Sequence, residues 1–161
     1  MKWNGTAWAT QATPTILGLF NLWALDANNA WAVGLGGTIL KWNGTTWATE
    51  TSGSTNILFG VWGTAANSVW VVGQNGTILK WNGLTWTAQS SGTTEFLSGV
   101  WGTASNNVWA VGTNGIILRW NGVQWVKEDS GTTQTLQTIY SPDGKTLWVG
   151  GYGGTILRRS L

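Results

Sequence analysis

The tryptophans of this chain recur at a fixed interval of 39 residues. Trp3, Trp42, Trp81 and Trp120 form one series, Trp8, Trp47, Trp86 and Trp125 a second, and Trp31, Trp70, Trp109 and Trp148 a third. Trp23, Trp62 and Trp101 form the fourth, and Tyr140 stands at its next place. All 15 Trp of the 161 residues fall in these series. Residues 53–91 align on 92–130 with 23 identities in 39 positions and no gap, which indicates duplication of one unit. A period of this length marks a repeat architecture in which each unit is one supersecondary block.

Within a unit the apolar period is two, which predicts strands. In the second unit Asn56 to Trp62, Ser68 to Val72, Thr77 to Trp81 and Thr85 to Ala88 read as four short strands. Asn75-Gly76 joins the second to the third and Asn82-Gly83 the third to the fourth. Asn-Gly accepts positive φ at both central positions of a type I′ turn, so both joints are expected to be tight hairpins. The unit is then a four-stranded antiparallel meander. Successive apolar residues in Val69-Trp70-Val71-Val72 predict burial on both faces by neighbouring sheets.

A radial array of such sheets is a β-propeller, so the fold class is all-β and the chain a single propeller domain over residues 1–161. Blades are expected at 15–52, 54–91, 93–130 and 132–161 plus 2–12. The last span reflects the ends of the chain: the last unit stops after its third strand, and Lys2 to Ala9 supply the end of a third strand, a turn and a fourth. The N-terminal strand is therefore expected to complete the C-terminal blade in a three-plus-one closure that hides two edges. Four blades per ring is a tight arrangement for twisted sheets. A homodimer sharing one eight-bladed ring is the favoured assembly, and a closed four-bladed monomer is the alternative.

The run Val33-Gly34-Leu35-Gly36-Gly37-Thr38-Ile39-Leu40-Lys41-Trp42-Asn43-Gly44-Thr45-Thr46-Trp47 resembles the repeat of Asp-box (BNR-type, sialidase-like) propellers and of the related photosystem assembly-factor propellers. In those families Ala-Val-Gly-x-x-Gly-x-Ile leads into an Asp-x-Gly-x-Thr-Trp hairpin. The resemblance recurs four times. It departs at the hairpin, where Trp-Asn-Gly-x-x-Trp is shorter and has Asn in place of Asp. The Trp-Asn-Gly hairpin is also loosely similar to the Trp-Asp-Gly hairpins of small bacterial and fungal propeller lectins. The resemblance implies the fold, while function stays open among hydrolases, lectins and assembly scaffolds.

Composition narrows that choice. The chain has no Cys and no His, so thiolate chemistry, the usual zinc sites and the commonest general base are absent, and no cofactor or metal is expected. The net charge of +2 is scattered, which argues against a nucleic-acid partner, and no apolar run is long enough for a membrane span or a signal peptide. As written the chain reads as cytoplasmic, or as extracellular if it is a segment of a longer protein. A sialidase-like site would need an arginine cluster, but Arg119, Arg158 and Arg159 are the only arginines. No catalytic residue is assigned. Lys2, Lys41, Lys80, Arg119 and Arg158 form a further series, read as solvated heads whose stems cover the neighbouring indoles.

The Trp31 series, inside second strands, reads as core, and the Trp42 and Trp47 series as packed against each other at the rim. The Trp23, Trp62, Trp101 and Tyr140 series, at the end of the innermost strand, is the expected ligand contact. The primary functional expectation is a non-enzymatic binding or assembly scaffold with a protein ligand. A multivalent glycan-binding lectin and a degenerate glycoside hydrolase are the alternatives.

Overall fold

Short runs of alternating residues, broken by Asn-Gly and Gly-Gly pairs, fold this chain into successive antiparallel hairpins. The computed structural model describes residues 2–3 and 5–161. Strands β1 (Lys2–Trp3) and β2 (Trp8–Ala9) form a two-stranded hairpin. The first full blade holds β3 (Leu19–Asp26), β4 (Asn29–Gly34), β5 (Ile39–Trp42) and β6 (Trp47–Glu50). The second holds β7 (Leu58–Ala65), β8 (Ser68–Gly73), β9 (Ile78–Trp81) and β10 (Trp86–Gln89). The third holds β11 (Leu97–Ala104), β12 (Asn107–Gly112), β13 (Ile117–Trp120) and β14 (Trp125–Glu128). The last has three strands, β15 (Leu136–Tyr140), β16 (Thr146–Gly151) and β17 (Ile156–Ser160). Each sheet is a meander in chain order. No helix among the described residues is long and apolar enough to cross a membrane.

The cores lie between blades. Trp31, Val33 and Ile39 of the first blade pack with Leu58, Val69 and Val71 of the second. Trp70, Val72 and Ile78 repeat the arrangement against Leu97, Val108 and Ala110 of the third. Trp109, Val111 and Ile117 repeat it against Leu136, Leu147 and Val149 of the last. This is why second strands are apolar at successive positions: each face of β8 and β12 belongs to a different interblade core. Trp31, Trp70 and Trp109 are fully buried. At roughly 150–250 Å² per aromatic side chain and about 25 cal/mol per Å², burial of each ring is worth about 4–6 kcal/mol, offset by about 1–3 kcal/mol for an indole N–H that has no hydrogen-bond partner among the described residues.

One sequence expectation needs correction. Only the first joint of each blade is a type I′ turn: Thr77 N–H donates to the Gln74 carbonyl at 3.1 Å, with φ 55° at Asn75 and 65° at Gly76. At the second joint Gly83 alone is left-handed. There the Asn82 side-chain carbonyl accepts the backbone N–H of Leu84 at 2.9 Å and of Thr85 at 2.8 Å, closing a four-residue Asx loop. Asn43 and Asn121 do the same in their blades.

Within one chain the N-terminal hairpin stands apart from the last blade: β2 pairs with β1, setting Trp3 opposite Trp8 with the rings 5.7 Å apart, while among the described residues β17 pairs only with β16. The inner strands pack in series, β3 on β7, β7 on β11 and β11 on β15, and no comparable packing joins β15 back to β3 among the described residues. Among the described residues the four blades pack in series, and the outer sheet faces of the first and last blades stay exposed at Leu22, Trp148 and Ile156.

Candidate functional site

The expected ligand series forms a ladder along the inner strands. Trp23 is cross-strand from Trp31, Trp62 from Trp70, Trp101 from Trp109 and Tyr140 from Trp148. The rings of Trp62 and Trp101 lie 6.0 Å apart, as do those of Trp101 and Tyr140. Trp23, Trp62 and Trp101 are partly buried, each leaning toward the next blade, and Tyr140 is exposed. Trp23 and Trp62 lie over Gly63 and Gly102 respectively, so much of each ring surface is occupied by packing.

A different position on the same strands builds a cavity. Each inner strand carries a β-bulge near its start, between Leu19 and Asn21, Leu58 and Gly60, Leu97 and Gly99, and Leu136 and Thr138. The extra residues are Phe20, Phe59, Ser98 and Gln137. A bulge bends its strand and re-aims the unpaired side chain. All four converge on one cavity of about 460 Å³, which Phe96, Thr113, Thr135 and Tyr152 complete. Phe20 and Phe59 touch with ring centroids 5.6 Å apart. Sequence reasoning passed over these residues. Positions 20, 59, 98 and 137 sit at the 39-residue repeat and read Phe, Phe, Ser and Gln, each following a Leu that is the same in all four units, but several neighbouring positions vary too, so the sequence does not single them out.

A fixed negative charge borders this cavity. The Glu95 carboxylate accepts hydrogen bonds from the Thr113 hydroxyl and, at 2.9 Å, from the Asn114 amide, and Thr113 in turn accepts the Phe96 N–H at 3.1 Å. The Thr113 and then the Asn114 hydrogen bonds hold Glu95 below the ordinary carboxylate range. Asp26 is lowered by the Asn28 N–H and then the Asn29 amide, and Asp143 by the N–H groups of Lys145 and Thr146. These carboxylates act as acceptors that brace turns. A glycosidase acid requires a carboxyl displaced the other way.

The basic series takes a more specific place than solvated heads. Lys41 Nζ lies 5.7 Å from the Trp31 ring centroid and 4.9 Å from that of Trp81 in the next blade. Lys80 bridges Trp70 and Trp120 at 4.8 and 5.2 Å. Arg119 stacks over Trp109 at 5.4 Å and Arg158 over Trp148 at 5.5 Å. Lys41 and Lys80 therefore join adjacent blades through the negative faces of indoles, while Arg119 and Arg158 cover an indole of their own blade.

No protein-family model matches the sequence, and no curated protein matches it. Solved structures do match the fold. A structure of YCF48 bound to D1 peptide is 18% identical, with a TM-score of 0.69, over 92% of this chain and 55% of that one. YCF48 from Cyanidioschyzon merolae is 17% identical, with a TM-score of 0.73, over 88% of this chain and 50% of that one. The extracellular domain of a hybrid two component system from B. thetaiotaomicron is 12% identical, with a TM-score of 0.54, over 89% of this chain and 27% of that one. The chain spans about half the length of the YCF48 structures it matches. What these identities share with the chain is the fold, a β-propeller built of four-stranded antiparallel blades.

Proposed function

We propose that this chain is a non-enzymatic binding or assembly scaffold, half of an eight-bladed ring that a second copy completes, and that the mouth of its inner strands takes a protein segment. The observation that carries this reading is the convergence of the four bulged residues on one cavity. Phe20, Phe59, Phe96 and Tyr152 offer ring faces, while Ser98, Gln137 and Thr113 offer hydrogen-bonding groups at the same surface. That combination suits an extended peptide with apolar side chains, and the ionised Glu95 favours a basic residue within it. The D1 peptide bound to YCF48, a protein of the same fold, is consistent with such a ligand.

The test is a side-by-side binding array, with fluorescently labelled protein applied to a random 12-residue peptide library and to a glycan panel. Peptide signals enriched in aromatic and basic residues, weakened at least tenfold by Phe20→Ala and by Phe96→Ala, are the expected result. Both phenylalanines are exposed, so their truncation leaves the core intact. Glycan signals lost in Trp62→Ala or Tyr140→Ala, with peptides silent, would transfer the function to the lectin reading.

A further inference from the structure

The two bare ends of the array are complementary to each other, and each is half of a junction already present inside the chain. At the junction of the second and third blades Trp70 is fully buried, its ring 5.2 Å from Trp120 and 5.3 Å from Trp125, the latter at 88°. Trp31 is buried in the same way in a cluster with Trp81 and Trp86. At these two junctions a second-strand indole is the knob, and the third- and fourth-strand pair of the next blade is the socket. The first blade has a socket without a knob: Trp42 and Trp47 lie 5.5 Å apart beside a cavity of about 580 Å³ also lined by Leu19 and Leu22. Leu22 is 57% exposed. The last blade has a knob without a socket: Trp148 stands at the repeat position of Trp31, Trp70 and Trp109, yet is 42% exposed where they are 0%.

We infer that Trp148 of one copy seats between Trp42 and Trp47 of another, and that two such junctions close two chains into an eight-bladed ring. The inference rests on the half-ring reading above and specifies its contact. A second copy is the occupant because the bare faces continue the interblade packing of the same 39-residue repeat, so each is shaped for another blade of this sequence. Arg158 already stacks over Trp148 as Lys80 stacks over Trp70, and Lys80 also reaches the next blade's Trp120. Arg158 accordingly extends to the partner's Trp42. The free edge of β17 takes the partner's β2 in the register that sets Trp47 against Trp42, which brings the partner's Trp8 opposite Arg159. β17 thereby replaces β1 as the neighbour of β2.

Sedimentation equilibrium of the full chain tests this. The wild type is expected at twice 17.3 kDa. Trp148→Asp and Leu22→Asp each remove one side of both junctions, and each is expected to raise the dimer dissociation constant at least about 30-fold. Both positions are exposed within one chain, so the far-ultraviolet circular dichroism should not change. An equimolar mixture of the two variants retains one intact junction per pair and should regain two-chain mass. If Trp148→Asp loses its β-sheet signal, Ile156→Asp, at a position 72% exposed on the same face, takes its place. A dimer that survives both variants overturns this junction while leaving the half-ring reading standing. A wild type of one-chain mass at 100 µM overturns both.

Discussion

Gly102 lies directly beneath the indole of Trp62 in the preceding blade, so closely that a Cβ on Gly102 would meet ring carbons at 2.8 Å and the Asn107 carbonyl at 2.6 Å. Gly63 stands in the same relation to Trp23, at 3.0 Å. The absence of a side chain here sets the distance between neighbouring inner strands. Gly102→Ala is expected to destabilise the chain by about 1–3 kcal/mol through overpacking. Gly18→Ala, whose Cβ would sit 3.4 Å from a Leu35 methyl, is the neutral control. Urea midpoints measure both, and equal midpoints would contradict the close approach.

The first joint of each blade requires left-handed backbone, supplied by Asn75 and Asn114 in two blades and by Gly36 and Gly153 in the others. Asn75→Gly is expected to leave stability within a few tenths of a kcal/mol, because Gly adopts this conformation freely. Asn75→Val is expected to cost about 1–2 kcal/mol. Thermal unfolding of the two variants separates a conformational requirement from a side-chain contact, since Gly removes the amide altogether.

Acid should weaken the fold through the turns. The pKa values of Asp26, Glu95 and Asp143 are lowered in the folded chain by hydrogen bonds to the ionised carboxylates. Such groups add stability that is complete above their unfolded pKa and is lost as the pH falls through the folded value. The loss therefore begins at about pH 4 and continues below it. Asp143→Asn keeps a side-chain acceptor for Lys145 and Thr146 but does not titrate, so its urea midpoint should fall less between pH 7 and pH 3 than that of the wild type. Parallel pH profiles would remove Asp143 from the account.

Lys80 joins two blades through ring faces, so charge and stem are separable. Lys80→Met retains the apolar stem and removes the ammonium, and it is expected to lower stability by about 0.5–2 kcal/mol. Lys145→Met, on an exposed turn, should change nothing. The comparison is made by guanidinium-free denaturation, since guanidinium itself competes for aromatic faces.

The repeat, the strand order and the two-faced cores were legible because they depend on residue spacing within a unit, as in Val69-Trp70-Val71-Val72. The first turn was legible for the same local reason. The Asx loop at Asn82 was not, since Asn-Gly suits either geometry and the side-chain acceptor decides between them. The bulges at Phe20 and Phe59 were hidden because a bulge is a property of two paired strands. The contrast between Trp70 and Trp148 was beyond any repeat alignment: the positions are equivalent, and only the presence of a following blade distinguishes them.

Within a single chain the inner strands touch only in series among the described residues, so without a partner to close the ring its unfolding need not be all-or-none. In that one-chain state, as expected for Trp148→Asp, the middle blades are each held by two junctions and the end blades by one, so amide exchange should be fastest at the ends and slowest around Trp70 and Trp109. The same linear logic makes blade number adjustable: insertion or loss of one 39-residue unit leaves every remaining junction chemically unchanged, so such a chain can lengthen or shorten by whole blades without redesigning its core.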